Sequence, residues 1–188
     1  FEAYNNWGNA LVELAKTKSG SEAERLFKEA FKKYDKATKI KQNFPEAYYL
    51  WGVALTELAG IKSSSEAEKL YKEAFEKYNL ATTYKQDDHE AYNNWGIAFM
   101  ELARIKSGRE AEILQNKAFE KFQQAVECGG DAYNLAYLYA IRNQKVEALK
   151  YLDIALSRNE ITVNFVEERW KEFCNDPDFQ DLLSRYKK

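Results

Sequence analysis

Few side chains in this chain could do covalent or metal chemistry. His89 is the one histidine in 188 residues, and it stands in the run Asp87-Asp88-His89-Glu90. Such a cluster could ligate a metal or pair an acid with a base. Its register argues for something simpler. Forty-four residues earlier the same positions hold Asn43-Phe44-Pro45-Glu46, so the cluster reads as a polar turn and helix N-cap. Cys128 and Cys174 are the only cysteines. Two are too few for a disulfide framework in a chain this long, and they read as free thiols in a reducing compartment. Neither cysteine nor the histidine sits in a nucleophile–base motif. Gly129-Gly130 reads as a turn, not a phosphate-binding loop. No catalytic, cofactor-binding or metal-ligating residue is expected, and no cofactor.

Composition narrows the field further. The chain carries 28 Lys+Arg against 30 Asp+Glu, a formal charge of -2. That balance argues against nucleic acid or an anionic membrane as partner on bulk electrostatics. Hydrophobic residues make up 45% and charged residues 31%, which suits a globular chain. No apolar run approaches the roughly 20 residues that cross a bilayer. Only 2 prolines and 8 glycines occur, and such scarcity of breakers favours helices.

The elements come from a repeat. Glu2-Ala3-Tyr4-Asn5-Asn6-Trp7-Gly8 returns as Glu46-Ala47-Tyr48-Tyr49-Leu50-Trp51-Gly52 and again as Glu90-Ala91-Tyr92-Asn93-Asn94-Trp95-Gly96. Aligning residues 1–44 with 45–88 gives 27 identities. A fixed period of this size signals a solenoid or another repeat array. A fourth, eroded copy starts at Asp131-Ala132-Tyr133-Asn134. Each unit reads as two helices. Tyr4, Trp7, Leu11 and Leu14 form an apolar face on the first. Ala23, Phe27, Ala30, Tyr34 and Ala37 form a stripe of small and aromatic residues on the second. Ser21…Glu24 and Ser65…Glu68 look like capping boxes that open the second helices. The spacing predicts helices near 1–18, 21–41, 45–61, 65–85, 89–106, 109–128, 131–142 and 145–157, then one or two short helices between 163 and 186. Gly8, Gly52 and Gly96 fall inside helices at a cost of about 1 kcal/mol each. Repetition of that cost predicts close approach of the paired helix, with Tyr34, Tyr78 and Phe122 as neighbours. Trp170, Phe173, Phe179 and Leu182-Leu183 read as a hydrophobic lid, with Asp176 capping a helix that starts at Pro177.

These residues resemble the tetratricopeptide repeat family. The resemblance rests on Tyr4, Trp7, Gly8, Ala30, Tyr34 and Ala37, on Tyr48, Trp51, Gly52, Ala74, Tyr78 and Ala81, on Tyr92, Trp95, Gly96, Ala118, Phe122 and Ala125, and on Tyr133, Ala148, Leu152 and Ala155. It covers about residues 1–157. The period of 44 exceeds the family's usual 34, which implies lengthened helices, and tryptophan replaces the usual leucine. The resemblance implies an all-α right-handed α-α superhelical solenoid of four helix pairs plus C-terminal capping helices. One domain, 1–188, would hold repeats 1–44, 45–88, 89–130 and 131–160 and a cap at 161–188.

In that family the first helices line a concave face. Carried over, the face would present Asn5, Asn9, Glu13, Tyr49, Glu57, Asn93, Glu101 and Asn134 as partner-binding residues. Carboxylates dominate it, while lysines crowd the second helix of unit one. An acidic hollow attracts cationic ligands, and asparagines can grip a peptide backbone through donor and acceptor at once. The plainer alternative is that these are solvated helix positions. A clamp for a C-terminal carboxylate is argued against, because the matching positions Asn5, Asn9, Leu50, Glu90 and Asn94 lack cations. The expected function is a non-catalytic protein–protein interaction scaffold that binds a basic peptide or protein segment in this groove. A self-assembling repeat module and a regulatory arm of a larger enzyme remain the alternatives, and self-association stays open. The chain opens at Phe1 within the repeat pattern, so a piece of a longer protein is expected. Cytoplasmic location is the default expectation.

Overall fold

The computed structural model describes residues 1–187, and the chain divides into two compact units, Phe1–Lys121 and the part from Phe122 onward. The first unit holds α1 (Glu2–Lys16), α2 (Gly20–Ile40), α3 (Pro45–Gly60), α4 (Ser64–Tyr84), α5 (His89–Arg104) and most of α6 (Gly108–Glu127). The second holds the last turns of α6, then α7 (Tyr133–Ile141), α8 (Lys145–Ser157), α9 (Val163–Arg169), a 3-10 turn at Lys171–Phe173 and α10 (Pro177–Ser184). No strand occurs among the described residues.

In the first unit α1 pairs with α2 and α3 with α4; α2 also packs on α3, and α4 on α5. The second-helix stripes are buried as the periodicity predicts: Ala23, Phe27, Ala30, Tyr34 and Ala37 on α2, and Ala67, Tyr71, Ala74, Tyr78 and Ala81 on α4. Within each pair a glycine faces a tyrosine ring. A Cβ built on Gly8 would lie 2.7 Å from the ring of Tyr34, and one on Gly52 would lie 2.8 Å from that of Tyr78. The close approach expected of these two glycines is present.

The face expected on α1 is corrected. Leu11 is buried, together with Gly8, Val12 and Ala15, but Trp7 stays 50% exposed and Leu14 45%. Their counterparts on α3 and α5 are buried. The difference lies in packing: α3 and α5 each receive the second helix of the preceding pair, and among the described residues no such helix packs on this side of α1.

The capping boxes are also corrected. Helices α2 and α4 begin earlier, behind Ser19 and Ser63, and neither serine makes a side-chain cap bond. Gly20 starts α2 at φ +58, a left-handed turn that suits glycine. Glu24 and Glu68 instead join neighbouring pairs. Glu24 holds Lys28 and reaches Lys62 past the end of α3, and Glu68 holds Lys72 at 2.6 Å and Lys106, past the end of α5, at 2.7 Å. A carboxylate between two ammonium groups makes charge-assisted bonds stronger than one reach to a backbone N–H. Lys28 and Lys62 hold the Glu24 carboxyl down at about 2; Lys106 and Lys72 do the same for Glu68. A third recurrent contact sets a lysine over each first-helix indole of this unit: Lys33 on Trp7, Lys77 on Trp51 and Lys121 on Trp95, at 3.3, 3.8 and 4.0 Å from the ring centres.

In the second unit the expected lid is built. Trp170, Phe179, Leu182 and Leu183 bury against Ala136, Ala148, Leu152 and Leu156. Asp176 accepts from the backbone N–H groups of Asp178 and Phe179 at 3.0 and 3.1 Å, with Pro177 in the first turn of α10. Helix α7 starts two residues late because Asp131 accepts from the Tyr133 N–H at 2.8 Å.

Alanine normally stabilises a helix by about 1 kcal/mol over glycine, but an extra methyl in a filled core costs about 1–3 kcal/mol. Gly52→Ala should therefore lower the thermal midpoint, whereas Gly60→Ala, which meets nothing within 4 Å, should not; paired melts check this. Glu24 and Glu68 sit lower in the folded chain than their ordinary 4.5. Their stabilisation is therefore complete above about pH 4.5 and disappears as pH falls toward 2. An acid titration followed by circular dichroism should show a loss in that window, shallower in Glu24→Gln with Glu68→Gln.

Candidate functional site

Helices α1, α3 and α5 lie side by side in the first unit, and their face carries most of the residues singled out by sequence. Here Asn9, Glu46, Tyr49, Leu50 and Glu90 line a hollow of about 600 Å³ together with Lys41, Phe44, Pro45, Lys85 and Asp88. Asn9 accepts from the Tyr34 hydroxyl at 2.7 Å, so the ring that the glycine admits also orients the amide. The Tyr49 hydroxyl accepts from Asn94 at 3.2 Å. Burial raises the Tyr49 phenol above its ordinary value, and Glu90 and Asp88 raise it further. Lys85 pairs with Asp88 at 3.5 Å, but neither Glu46 nor Glu90 pairs with a cation among the described residues.

The eight residues do not form one cluster. Asn5 is buried, not open to a groove; it donates to Glu46 at 3.2 Å, and its Oδ1 finds no partner among the described residues. Glu13 and Glu57 share one surface, because Lys16 lies 2.9 Å from each. Their bonds, Glu13 first, raise the Lys16 ammonium above its ordinary value. One Glu57 oxygen is buried without a hydrogen-bond partner among the described residues. Glu101 pairs with Arg104 at 3.2 Å and lines a separate recess of about 340 Å³ with Ala59, Gly60, Lys62 and Tyr71. Asn93 is half-buried on α5. Asn134 stands on α7 in the second unit.

Sequence reasoning missed the cations on this face. Lys16 and Arg104 each stand three residues after the glutamate they neutralise, a spacing that predicts pairing along a helix. Lys41 and Lys85 follow the second helices and reach the hollow through turns, which periodicity does not reveal. The face is therefore less acidic than the count of carboxylates on the first helices implies, and within the hollow Glu46 and Glu90 are the carboxylates without an ion pair among the described residues.

Helix pairs with a glycine–aromatic contact, stacked through small-residue stripes, define an array of the tetratricopeptide type. Two solved structures share the fold. One, described as the crystal structure of MamA, is 19% identical over 85% of this chain and 82% of its own, with a TM-score of 0.55. The other, TTC0263, a thermophilic TPR protein of Thermus thermophilus, is 16% identical over 95% of this chain and 88% of its own, with a TM-score of 0.60. Within this class the family model for the plant-specific mitochondrial import receptor subunit TOM20 matches residues 43–144, more than half of the chain, and the chain belongs to that family. No curated protein matches the sequence. A receptor family on this scaffold gives the chain a protein-interaction role. The expectation of a cytoplasmic protein is corrected, since the family is one of mitochondrial import receptors. No helix among the described residues is long and apolar enough to cross a membrane.

Removing the bridging ammonium should strand Glu57. Lys16→Met is expected to destabilise the chain by about 1–3 kcal/mol, the cost of an unsatisfied part-buried polar group. Lys16→Met with Glu57→Gln should recover most of the loss, as read from urea midpoints.

Proposed function

We propose that the first unit is the receptor surface for a basic, extended segment of a protein bound for mitochondrial import, and that the protein acts at the mitochondrion without catalysis. The observation that carries this reading is the hollow on α1, α3 and α5, where Glu46 and Glu90 lie beside Tyr49 and Asn9 and form no ion pair among the described residues. Lysine or arginine side chains of the guest supply the missing countercharge. Tyr49 and Leu50 offer apolar surface to its stems, as amphipathic cations need. Asn9 is already oriented by Tyr34 and presents its amide group to the guest backbone. Glu13 and Glu57 extend the negative surface along α1 and α3, tempered by Lys16. Family membership supports the receptor role, and the lack of a nucleophile–base pair in the sequence supports a role in binding alone.

Two labelled peptides of equal length test this, one rich in lysine and arginine and one with those residues replaced by glutamate. Anisotropy should show binding of the basic peptide only, weakening as salt rises. Glu90→Lys should reduce its affinity about tenfold, a change of roughly 1.4 kcal/mol, with helicity unchanged. Equal affinity for both peptides, or no response to Glu90→Lys, overturns the reading.

A further inference from the structure

Glu13, Glu57 and Glu101 occupy one position in successive pairs, and the last turns of the same helices place Lys16, Gly60 and Arg104 after them. Lys16 and Arg104 each pair with the glutamate of their own helix, at 2.9 and 3.2 Å. Lys16 also crosses to the next first helix, where its ammonium lies 2.9 Å from Glu57. Gly60 can do neither. The row therefore holds three carboxylates and two cations. The shortage shows at Glu57: Lys16 holds one of its oxygens, and the other is buried with no hydrogen-bond partner among the described residues.

The space that a side chain at position 60 would take is open. A Cβ built on Gly60 meets nothing within 4 Å, and Gly60 lines the recess of about 340 Å³ that Tyr71, Glu101 and Arg104 share. Here the counterparts of Glu13 and Glu57 are Glu57, one turn back on α3, and Glu101, across on α5. Helices α3 and α5 both end at this recess, at Gly60 and Arg104, and the carbonyl end of a helix favours a cation. The wall differs from the preceding copy in one more respect. Tyr71 stands where Phe27 stands one pair earlier, so the open copy carries a hydroxyl that the filled copy lacks.

We infer that the recess at Gly60 takes a lysine side chain from a partner polypeptide, whose ammonium bridges Glu57 and Glu101 as Lys16 bridges Glu13 and Glu57. Lysine suits it better than arginine, because the filled copy is filled by a compact ammonium on a flexible stem. Ala59, Ala67 and Ile105 give that stem an apolar wall. Arg104 leaves room for a second cation: its side chain is 74% exposed, and Glu24 and Glu68 each hold two ammonium groups at once. Acetylation of the guest lysine removes its charge, so the site distinguishes the two forms. Gly60 lies fourteen residues along α3 from Glu46, about 21 Å. The recess is thus separate from the hollow at Glu46 and Glu90, and its occupation does not depend on that reading.

The probe is a capped pentapeptide, Gly-Ala-Lys-Ala-Gly, added to the full chain while backbone amide shifts are followed by NMR. Saturable shifts are expected at Gly60 and Glu101, and none with the acetyl-lysine form of the peptide. Glu101→Gln should weaken binding about tenfold. Gly60→Lys should abolish it by filling the recess from within the chain. It should also raise the thermal midpoint more than Gly60→Met does, and that difference should disappear once Glu101→Gln is added. Equal shifts from the acetylated peptide, binding indifferent to Gly60→Lys, or equal midpoints for Gly60→Lys and Gly60→Met overturn the proposal. So does binding of butylamine without binding of the peptide, because the ligand would then be a free amine.

Discussion

The first unit depends on a backbone meeting a ring. Tyr34 and Tyr78 are buried to within 1% of their surface, and each lies where a methyl group on the facing helix would clash. A side chain at either glycine would push the helices apart by the depth of that group. The tyrosine hydroxyls would then lose Asn9 and Thr56, their partners on the first helix. Burial raises both phenols far above their ordinary range. The same contact that sets the distance within a pair thus also orients an amide on the face that α1, α3 and α5 share.

Joining one pair to the next uses a different division of labour. Apolar stripes supply burial, which is strong but undirected. The Glu24–Lys62 and Glu68–Lys106 clips supply register at the edge of the interface, where water still screens them and their contribution to stability is modest. Because both components recur, each first helix is a half-interface by design. Its stripe reads as core or as surface according to what lies before it, and no property of the helix itself decides which.

The candidate hollow is a by-product of this stacking. Glu46 and Glu90 occupy the same position in successive pairs, and stacking brings them to one depression with Tyr49. A local concentration of charge arises although the chain is nearly neutral, because α1, α3 and α5 turn the same register toward the same side. The lysines that temper it, Lys41 and Lys85, come from turns at the ends of α2 and α4, where the chain passes from one pair to the next.

Helix positions, the pairing of first with second helices, the glycine–tyrosine contact and the C-terminal lid were all legible in the residue pattern, because each depends on apolar periodicity and side-chain size. The residue pattern left the first helix pair either exposed or covered by further sequence or another copy; that Trp7 itself lies open was not legible, since the same Glu-Ala-Tyr-Asn-Asn-Trp-Gly run buries its tryptophan two repeats later. Nor was the fate of Glu24 and Glu68, which local rules assign to helix caps and which find lysines 38 residues away. The eight residues of the expected groove separated in the same way: Asn5 went into the core, Glu101 into a recess of its own, and only Asn9 and Tyr49 share the hollow. Local periodicity determines what each helix can bury. Which of its faces is buried, and which carboxylate is left without a cation, is decided by neighbours that only the folded chain brings into contact.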